Sequence, residues 1–95
     1  MSQHKVLFVD DEPGVLSSIR RAVAEEDYQA FFAGSGTEAL SLMEKNQFSV
    51  IVTDMRMPAM DGLALLKLVK EKYPKTIRVV LSGYTQLSQV LVTIN

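Results

Sequence analysis

Short apolar runs alternate with longer segments of helical period along the whole chain. Each apolar run is five or six residues long, is rich in β-branched or aromatic residues, and is bounded by polar residues or by proline and glycine. Runs of this kind are typical of buried β-strands. The predicted strands are residues 5–9, 28–33, 48–53 and 77–81.

The segments between the strands predict helices. Pro13 occupies a position where a first-turn proline is tolerated, and apolar residues follow it at helical spacing. Ser35 and Glu38 have the spacing of a capping box, which predicts a second helix behind them. A third helix is expected from about Leu63 to Tyr73, where Pro74 closes it.

The last segment supports two predictions. Leu87, Val90, Leu91 and Ile94 follow the i, i+3, i+4, i+7 pattern, which predicts one face of a fourth helix. Residues 89–94 also have strong β propensity and no charge, so this segment could instead leave its helix and add to a sheet.

Strands of continuous apolar residues are buried on both faces, so the alternation predicts a parallel sheet with helices on each side. Right-handed crossovers leave few ways to wind such a sheet. We expect a doubly wound, flavodoxin-like α/β fold with strand order 2-1-3-4.

Composition narrows the class of protein. With 95 residues, the chain is long enough for one domain and too short for two. Its formal net charge of -1 predicts no bulk attraction to nucleic acid or to anionic membranes. Cysteine is absent and neither a signal peptide nor a membrane span is indicated, which fits a cytoplasmic location.

Acidic residues follow two of the predicted strands. Asp10 and Asp11 end strand 1, and Asp54 ends strand 3. In the predicted order these strands are neighbours, roughly 4.8 Å apart, so the three carboxylates would crowd together at the edge where ligands of such sheets bind. A hard cation such as Mg²⁺ would neutralise them, and Ser82 after strand 4 could hydrogen-bond a phosphoryl oxygen.

This arrangement favours phosphoryl chemistry, because a carboxylate can attack phosphorus and form an acyl phosphate. Asp54 is the best nucleophile candidate, since it stands alone at a strand end, whereas the adjacent Asp10 and Asp11 suit metal binding. A structural interpretation stays open for the acids as helix caps, Asp11 for the first helix and Asp61 for the third.

Four blocks of sequence, in the right order and spacing, resemble the signature of bacterial two-component receiver domains. The resemblance covers the whole chain, residues 1–95. The blocks are Val9-Asp10-Asp11-Glu12-Pro13, Thr53-Asp54-Met55-Arg56-Met57-Pro58, Met60-Asp61-Gly62 and Leu81-Ser82-Gly83.

The resemblance implies a role for each site residue. Asp54 would be the phosphoacceptor, and Ser82 the hydroxyl residue that moves toward the phosphoryl group. Asp11 and Asp54, with the backbone carbonyl of Arg56, would bind Mg²⁺ or Mn²⁺ directly, and Asp10 would act through water. Arg56 and Tyr84 occupy the variable positions that tune loss of the phosphoryl group.

The resemblance also implies partners: a sensor histidine kinase or a small acyl phosphate as donor, and an output domain or downstream protein as receiver of the signal. The domain would be a switch and not an enzyme, apart from self-phosphorylation and autodephosphorylation. Direct binding of nucleic acid or membrane is not expected.

The chain departs from the family at its C-terminal end. Receiver domains have a fifth strand, with a lysine that pairs with the phosphoryl group, and a fifth helix, whereas no Lys, Arg or His follows Arg78 here. We therefore expect an incomplete receiver, truncated after the fourth helix, with strand 4 as an open edge. Such a chain would self-associate through that edge or by exchange of its C-terminal segment.

Two other functions remain open. The chain could be a receiver-like interaction module, or an inactive fragment that is not phosphorylated in practice. An aspartyl-phosphate phosphatase is disfavoured, because Arg56 stands where a second acid would be needed.

Overall fold

A computed structural model describes residues 4–81 and 91–94 of the chain. It contains one five-stranded sheet with the order β2-β1-β3-β4-β5. The first four strands are parallel to one another, and β5 is antiparallel to β4. The strands are β1 (Lys5–Val9), β2 (Gln29–Ala33), β3 (Val50–Asp54), β4 (Ile77–Leu81) and β5 (Leu91–Ile94).

Three helices connect the parallel strands: α1 (Pro13–Ala22), α2 (Gly36–Lys45) and α3 (Gly62–Lys72). Their starts follow the capping chemistry of the sequence. The Ser35 side chain accepts a hydrogen bond from the Glu38 amide at 3.1 Å, and Asp61 accepts one from the Ala64 amide at 2.8 Å. These bonds satisfy amide groups that have no partner within the helix.

The helices lie on both faces of the sheet, as predicted. On one face, Leu7, Ile51 and Val80 belong to a buried cluster with residues of α2 and α3. On the other face, Phe8 and Val52 pack with Ile19 of α1. Residues two apart in a strand share a face, so each parallel strand contributes to both clusters. The predicted doubly wound sheet and its parallel order 2-1-3-4 are confirmed.

The register places the ends of β1 and β3 side by side. Val9 is opposite Thr53, the residue before Asp54, and Asp54 is opposite Leu81 of β4. The acidic residues that follow β1 therefore reach the same edge of the sheet as Asp54.

The prediction of a fourth helix is wrong for residues 91–94, which form a strand. Its other positions, including Leu87 and Val90, lie outside the described residues. Leu91 is opposite Leu81, and Ile94 is opposite Arg78. The alternative prediction of a sheet segment is confirmed here, because an uncharged run of high β propensity can satisfy the backbone groups that β4 presents.

The prediction that β4 forms an open edge is wrong for the same reason. The edge of β4 that faces away from β3 is paired with β5 of the same chain. In residues 4–81 and 91–94, no helix combines the length and apolar character needed to cross a membrane.

Candidate functional site

Three carboxylates come together at the carboxyl end of the parallel strands. One oxygen from each of Asp10, Asp11 and Asp54 lies within 4.8 Å of the others. Asp10 is buried, with 6% of its surface exposed, whereas Asp54 is half-buried and Asp11 is exposed. The cluster therefore extends from the interior of the fold to solvent.

Within the cluster, the pKa of Asp10 is shifted by its surroundings. Burial raises the pKa of its carboxyl above the ordinary value of 3.8, and the nearby carboxylates of Asp54 and Asp11 raise it further. The Glu12 amide donates a 2.9 Å hydrogen bond to Asp10 Oδ1, which opposes this shift. Among the described residues, no basic side chain contributes to the pKa of Asp10.

A compact loop of residues 55–61 joins β3 to α3 beside the cluster. The amide of Gly62 donates to the carbonyl of Met55 at 2.9 Å and closes the loop. Within it, Ala59 has a φ of 66°, in the left-handed region, and the Met60 amide donates to the Pro58 carbonyl at 2.7 Å. The backbone around Arg56 is thus held by a tight turn and by the start of α3.

The methionines of this loop have a packing role where they are buried. Met57 is 8% exposed and belongs to the core cluster of α2 and α3, and Met60 packs against that cluster. The sulfur of Met60 would lie 2.7 Å from a Cβ on Gly36, at the start of α2. The loop is therefore anchored to α2 as well as to α3.

The structure describes some of the other predicted residues and not others. The side chain of Arg56 is exposed, and Ser82 and Tyr84 lie outside the described residues. Asp61 is the N-cap of α3, which confirms its structural interpretation. The alternative in which Asp11 caps α1 is wrong, because Glu12 occupies that position and makes no side-chain cap.

Two residues beside Asp54 belong to the signature blocks but received no role of their own from the sequence. The Thr53 hydroxyl donates to the backbone carbonyl of Asp54 at 3.0 Å, and the backbone of Gly62 packs against the same carbonyl. The φ of Gly62 is not positive, so the close approach to Asp54 and not a left-handed turn accounts for the glycine, and the sequence alone does not show this approach.

The donor set fits a hard divalent cation. Mg²⁺ prefers oxygen ligands and is commonly held by one or two carboxylates together with water and phosphate oxygens. Burial and the neighbouring carboxylates raise the pKa of Asp10, so a bound cation would stabilise its ionised form. The acidic cluster could therefore bind a metal ion.

A doubly wound parallel sheet with three acids at the carboxyl ends of β1 and β3 defines an α/β domain with an acidic cluster that could hold a metal ion. The sequence matches the response regulator receiver domain over residues 6–95, and the chain belongs to this family. The chain is accordingly a two-component signal transduction domain.

Two curated relatives differ in how much of their length is shared. The hydrogenase transcriptional regulatory protein HoxA of Cupriavidus necator is 37% identical over 93 residues, which are 98% of this chain but 19% of that protein. Sporulation initiation phosphotransferase F of Bacillus subtilis is 30% identical over 90 residues, which are 95% of this chain and 73% of that protein. The chain thus spans about a fifth of the first relative and most of the second.

Solved structures support the same fold. Chemotaxis protein CheY4 of Vibrio cholerae has a TM-score of 0.81 and 30% identity, with 93% of this chain and 75% of that chain covered. A signal receiver domain of an HD domain-containing protein from Pseudomonas fluorescens has a TM-score of 0.84 and 28% identity, over 92% of this chain and 70% of that chain. Both similarities extend over most of this chain.

Proposed function

We propose that the chain is a phosphorylation-controlled switch that accepts a phosphoryl group on Asp54 in a Mg²⁺-dependent reaction. The observation that carries the proposal is the convergence of the three carboxylates within 4.8 Å at the carboxyl end of the sheet. Membership of the receiver family supports it. The domain acts as a signalling switch and not as an enzyme with an external substrate.

Asp54 acts as the nucleophile. A carboxylate oxygen forms a bond to phosphorus, and the bond from phosphorus to the donor breaks with its electron pair leaving on the donor. The donor is the phosphohistidine of a sensor kinase, which releases an imidazole, or a small acyl phosphate, which releases a carboxylate. The half-buried position of Asp54 leaves its carboxylate accessible while its backbone stays part of β3.

Asp11, Asp54 and the backbone carbonyl of Arg56 would hold the cation, and Asp10 would act through water. Mg²⁺, or Mn²⁺ in its place, supplies positive charge that screens the nucleophile from the phosphate and stabilises the transition state. Asp11 is exposed and is therefore accessible to a hydrated ion. Asp10 is buried and adds a second negative charge to the cluster from the interior of the fold. Ser82 donates a hydrogen bond to the phosphoryl group and moves toward it on activation.

Phosphorylation shifts the domain between two states that an output domain or a downstream protein distinguishes. The relatives of this family include a DNA-binding transcriptional regulator NtrC and a sensor kinase CckA, each longer than this chain. We infer a cytoplasmic setting with a sensor histidine kinase as partner, and no direct contact of this domain with nucleic acid or membrane.

Intact-mass spectrometry after incubation with Mg²⁺ and acetyl phosphate tests the proposal. We expect the wild-type chain to gain one phosphoryl group, and Asp54→Asn to gain none while keeping the circular dichroism spectrum of the wild type. The amide is nearly isosteric with the carboxylate but is not a comparable nucleophile. Equal labelling of the two proteins would show that the nucleophile is another residue.

An alternative is a receiver-like interaction module that is not phosphorylated. The observation in its favour is that β5, Leu91–Ile94, is antiparallel to β4 and contains no lysine, whereas the family resemblance implies a lysine-bearing fifth strand. Labelling of neither protein in the mass experiment would favour this alternative. Labelling of the wild type alone would exclude it.

We also propose that two copies of the chain exchange β5. Because β4 is already paired with β5, a second copy would have to supply its own β5 to the β4 edge. Light scattering at high protein concentration tests this exchange, for which we expect a dimer. A monodisperse monomer would contradict it.

A further inference from the structure

The backbone carbonyl of Asp54 is contacted by two residues, one in β3 and one at the start of α3. From within β3, the Thr53 hydroxyl donates a hydrogen bond to this oxygen at 3.0 Å. Thr53 is fully buried, and its register partners are Val9 of β1 and Val80 of β4. A hydroxyl enclosed by apolar strands has little choice of acceptor, which fixes its direction.

From the start of α3, Gly62 packs directly on the same peptide. A Cβ on Gly62 would overlap the carbonyl oxygen of Asp54, and would lie 3.0 Å from both its carbonyl carbon and the Met55 Cα. Gly62 has no positive φ, so space and not backbone conformation requires the glycine. Its amide also donates to the Met55 carbonyl, which ties α3 to the residue after Asp54.

We propose that Thr53 and Gly62 form a clamp on the backbone carbonyl of Asp54 and are positioning residues for its carboxylate. The inference rests on the proposed phosphoacceptor role of Asp54. Neither residue touches the reacting atoms. They act by fixing the peptide from which the nucleophile projects.

The clamp opposes the electrostatic repulsion that acts on the Asp54 carboxylate. The carboxylates of Asp10 and Asp11 repel that of Asp54, and Asp54 is the last residue of its strand. Without a restraint, repulsion would turn the Asp54 side chain away from the cluster. In-line attack on phosphorus needs a defined direction, and a misplacement of about 1 Å can cost on the order of 100-fold in rate.

Other glycines of the chain provide matched controls. A Cβ on Gly14, in the first turn of α1, would meet nothing within 4 Å. The atoms nearest to a Cβ on Gly36 would be those of the flexible Met60 side chain, which can move. Gly62 differs from both because the atoms in its way are the backbone of Asp54 and Met55.

The hydroxyl is tested by a pair of variants at residue 53. Thr53→Val removes the hydroxyl at nearly constant volume, and Thr53→Ser keeps it. We expect phosphorylation by acetyl phosphate to be about 10-fold slower in Thr53→Val and within about 3-fold of wild type in Thr53→Ser. Denaturant unfolding of both variants checks that stability does not explain the difference.

The glycine is tested by Gly62→Ala beside Gly14→Ala. We expect phosphorylation to fall about 100-fold in Gly62→Ala and to stay at the wild-type rate in Gly14→Ala. If Gly62→Ala does not fold, the variants at residue 53 decide the proposal by themselves.

A nuclear magnetic resonance readout separates the clamp from the phosphorylation function. In the full chain with EDTA, we measure the carbonyl carbon shift of Asp54 and the three-bond couplings that report its χ1 angle. The clamp predicts one χ1 rotamer and a hydrogen-bonded carbonyl shift in wild type and Thr53→Ser, and averaged couplings with a changed shift in Thr53→Val. Wild-type couplings in Thr53→Val would overturn the clamp, whether or not the chain accepts a phosphoryl group.

Discussion

Polar side chains are arranged differently at the two ends of the parallel strands. At the amino end, several polar side chains have partners: His4 Nδ1 lies 2.7 Å from Ser49 Oγ, and the Thr76 hydroxyl donates to the Phe48 carbonyl at 2.9 Å. The exception among the buried side-chain polar atoms of the described residues is Arg78 Nε, which has no hydrogen-bond partner. At the carboxyl end, three carboxylates lie within 4.8 Å of one another. The first arrangement stabilises the fold, whereas the repulsion in the second opposes folding until a cation neutralises the carboxylates.

This difference indicates where function resides. Proteins commonly violate the rules of polar pairing at functional sites and compensate elsewhere in the fold. Here the buried core on both sheet faces and the paired amino end hold the acidic end in place. Removing charge at the carboxyl end should therefore lose function and gain stability, whereas removing partners at the amino end should only lose stability.

The largest expected effect is on metal binding. Asp11→Ala removes an exposed carboxylate from the cluster, and we expect the Mg²⁺ affinity to fall by at least about 10-fold. Isothermal titration calorimetry measures it. Asp61→Asn is the matched control, since asparagine also caps α3 and Asp61 is outside the cluster. Unchanged affinity in Asp11→Ala would assign the metal to other residues.

The next effect is a gain of stability at the acidic end. Asp10→Asn removes a buried charge but keeps an oxygen that can accept from the Glu12 amide. We expect the free energy of unfolding without metal to rise by about 1 to 2 kcal/mol. Urea unfolding in EDTA at neutral pH gives this value. A loss of stability would show that the charge of Asp10 is compensated in the fold.

A smaller effect of opposite sign is expected at the amino end. Thr76→Val removes a buried hydroxyl that is bonded to the Phe48 carbonyl, and should cost about 1 kcal/mol. Mg²⁺ affinity should not change, because Thr76 lies at the other end of β4. A parallel loss of Mg²⁺ affinity would mean that the two ends are coupled.

The smallest effect is expected at the protein surface. Ser49→Ala removes the hydrogen bond to the exposed His4 side chain and should change the free energy of unfolding by less than about 0.5 kcal/mol. The same urea titration checks it. A loss of unfolding free energy as large as that of Thr76→Val would show that the His4–Ser49 hydrogen bond also stabilises the fold.

Most of the fold could be predicted from the sequence, because local patterns and global topology agree there. The runs that end at Val9 and near Asp54 indicate strands by composition, and Ser35 and Asp61 mark helix starts by capping chemistry. The parallel order brings the strand-end acids together, so their convergence was also predictable.

The remainder depended on contacts between distant segments. Residues 91–94 satisfy a helical period and a strand propensity equally well, and pairing with the edge of β4 decides for the strand. The packing of Gly62 on Asp54 also joins two elements, and sequence spacing alone does not report such a distance. The pKa shift of Asp10 depends on burial in the same way.

Unfolding of the wild-type chain and of Asp11→Ala, with and without Mg²⁺, tests the central claim most directly. If the acidic end is a cation site, Mg²⁺ at about 100 times its Kd should raise the free energy of unfolding of the wild type by about 2.7 kcal/mol. The same Mg²⁺ concentration should raise the free energy of unfolding of Asp11→Ala by about 1.4 kcal/mol or less, because a site that is about 10-fold weaker is only about 10 times above its Kd. Equal stabilisation of the two proteins, or none in the wild type, would contradict the account.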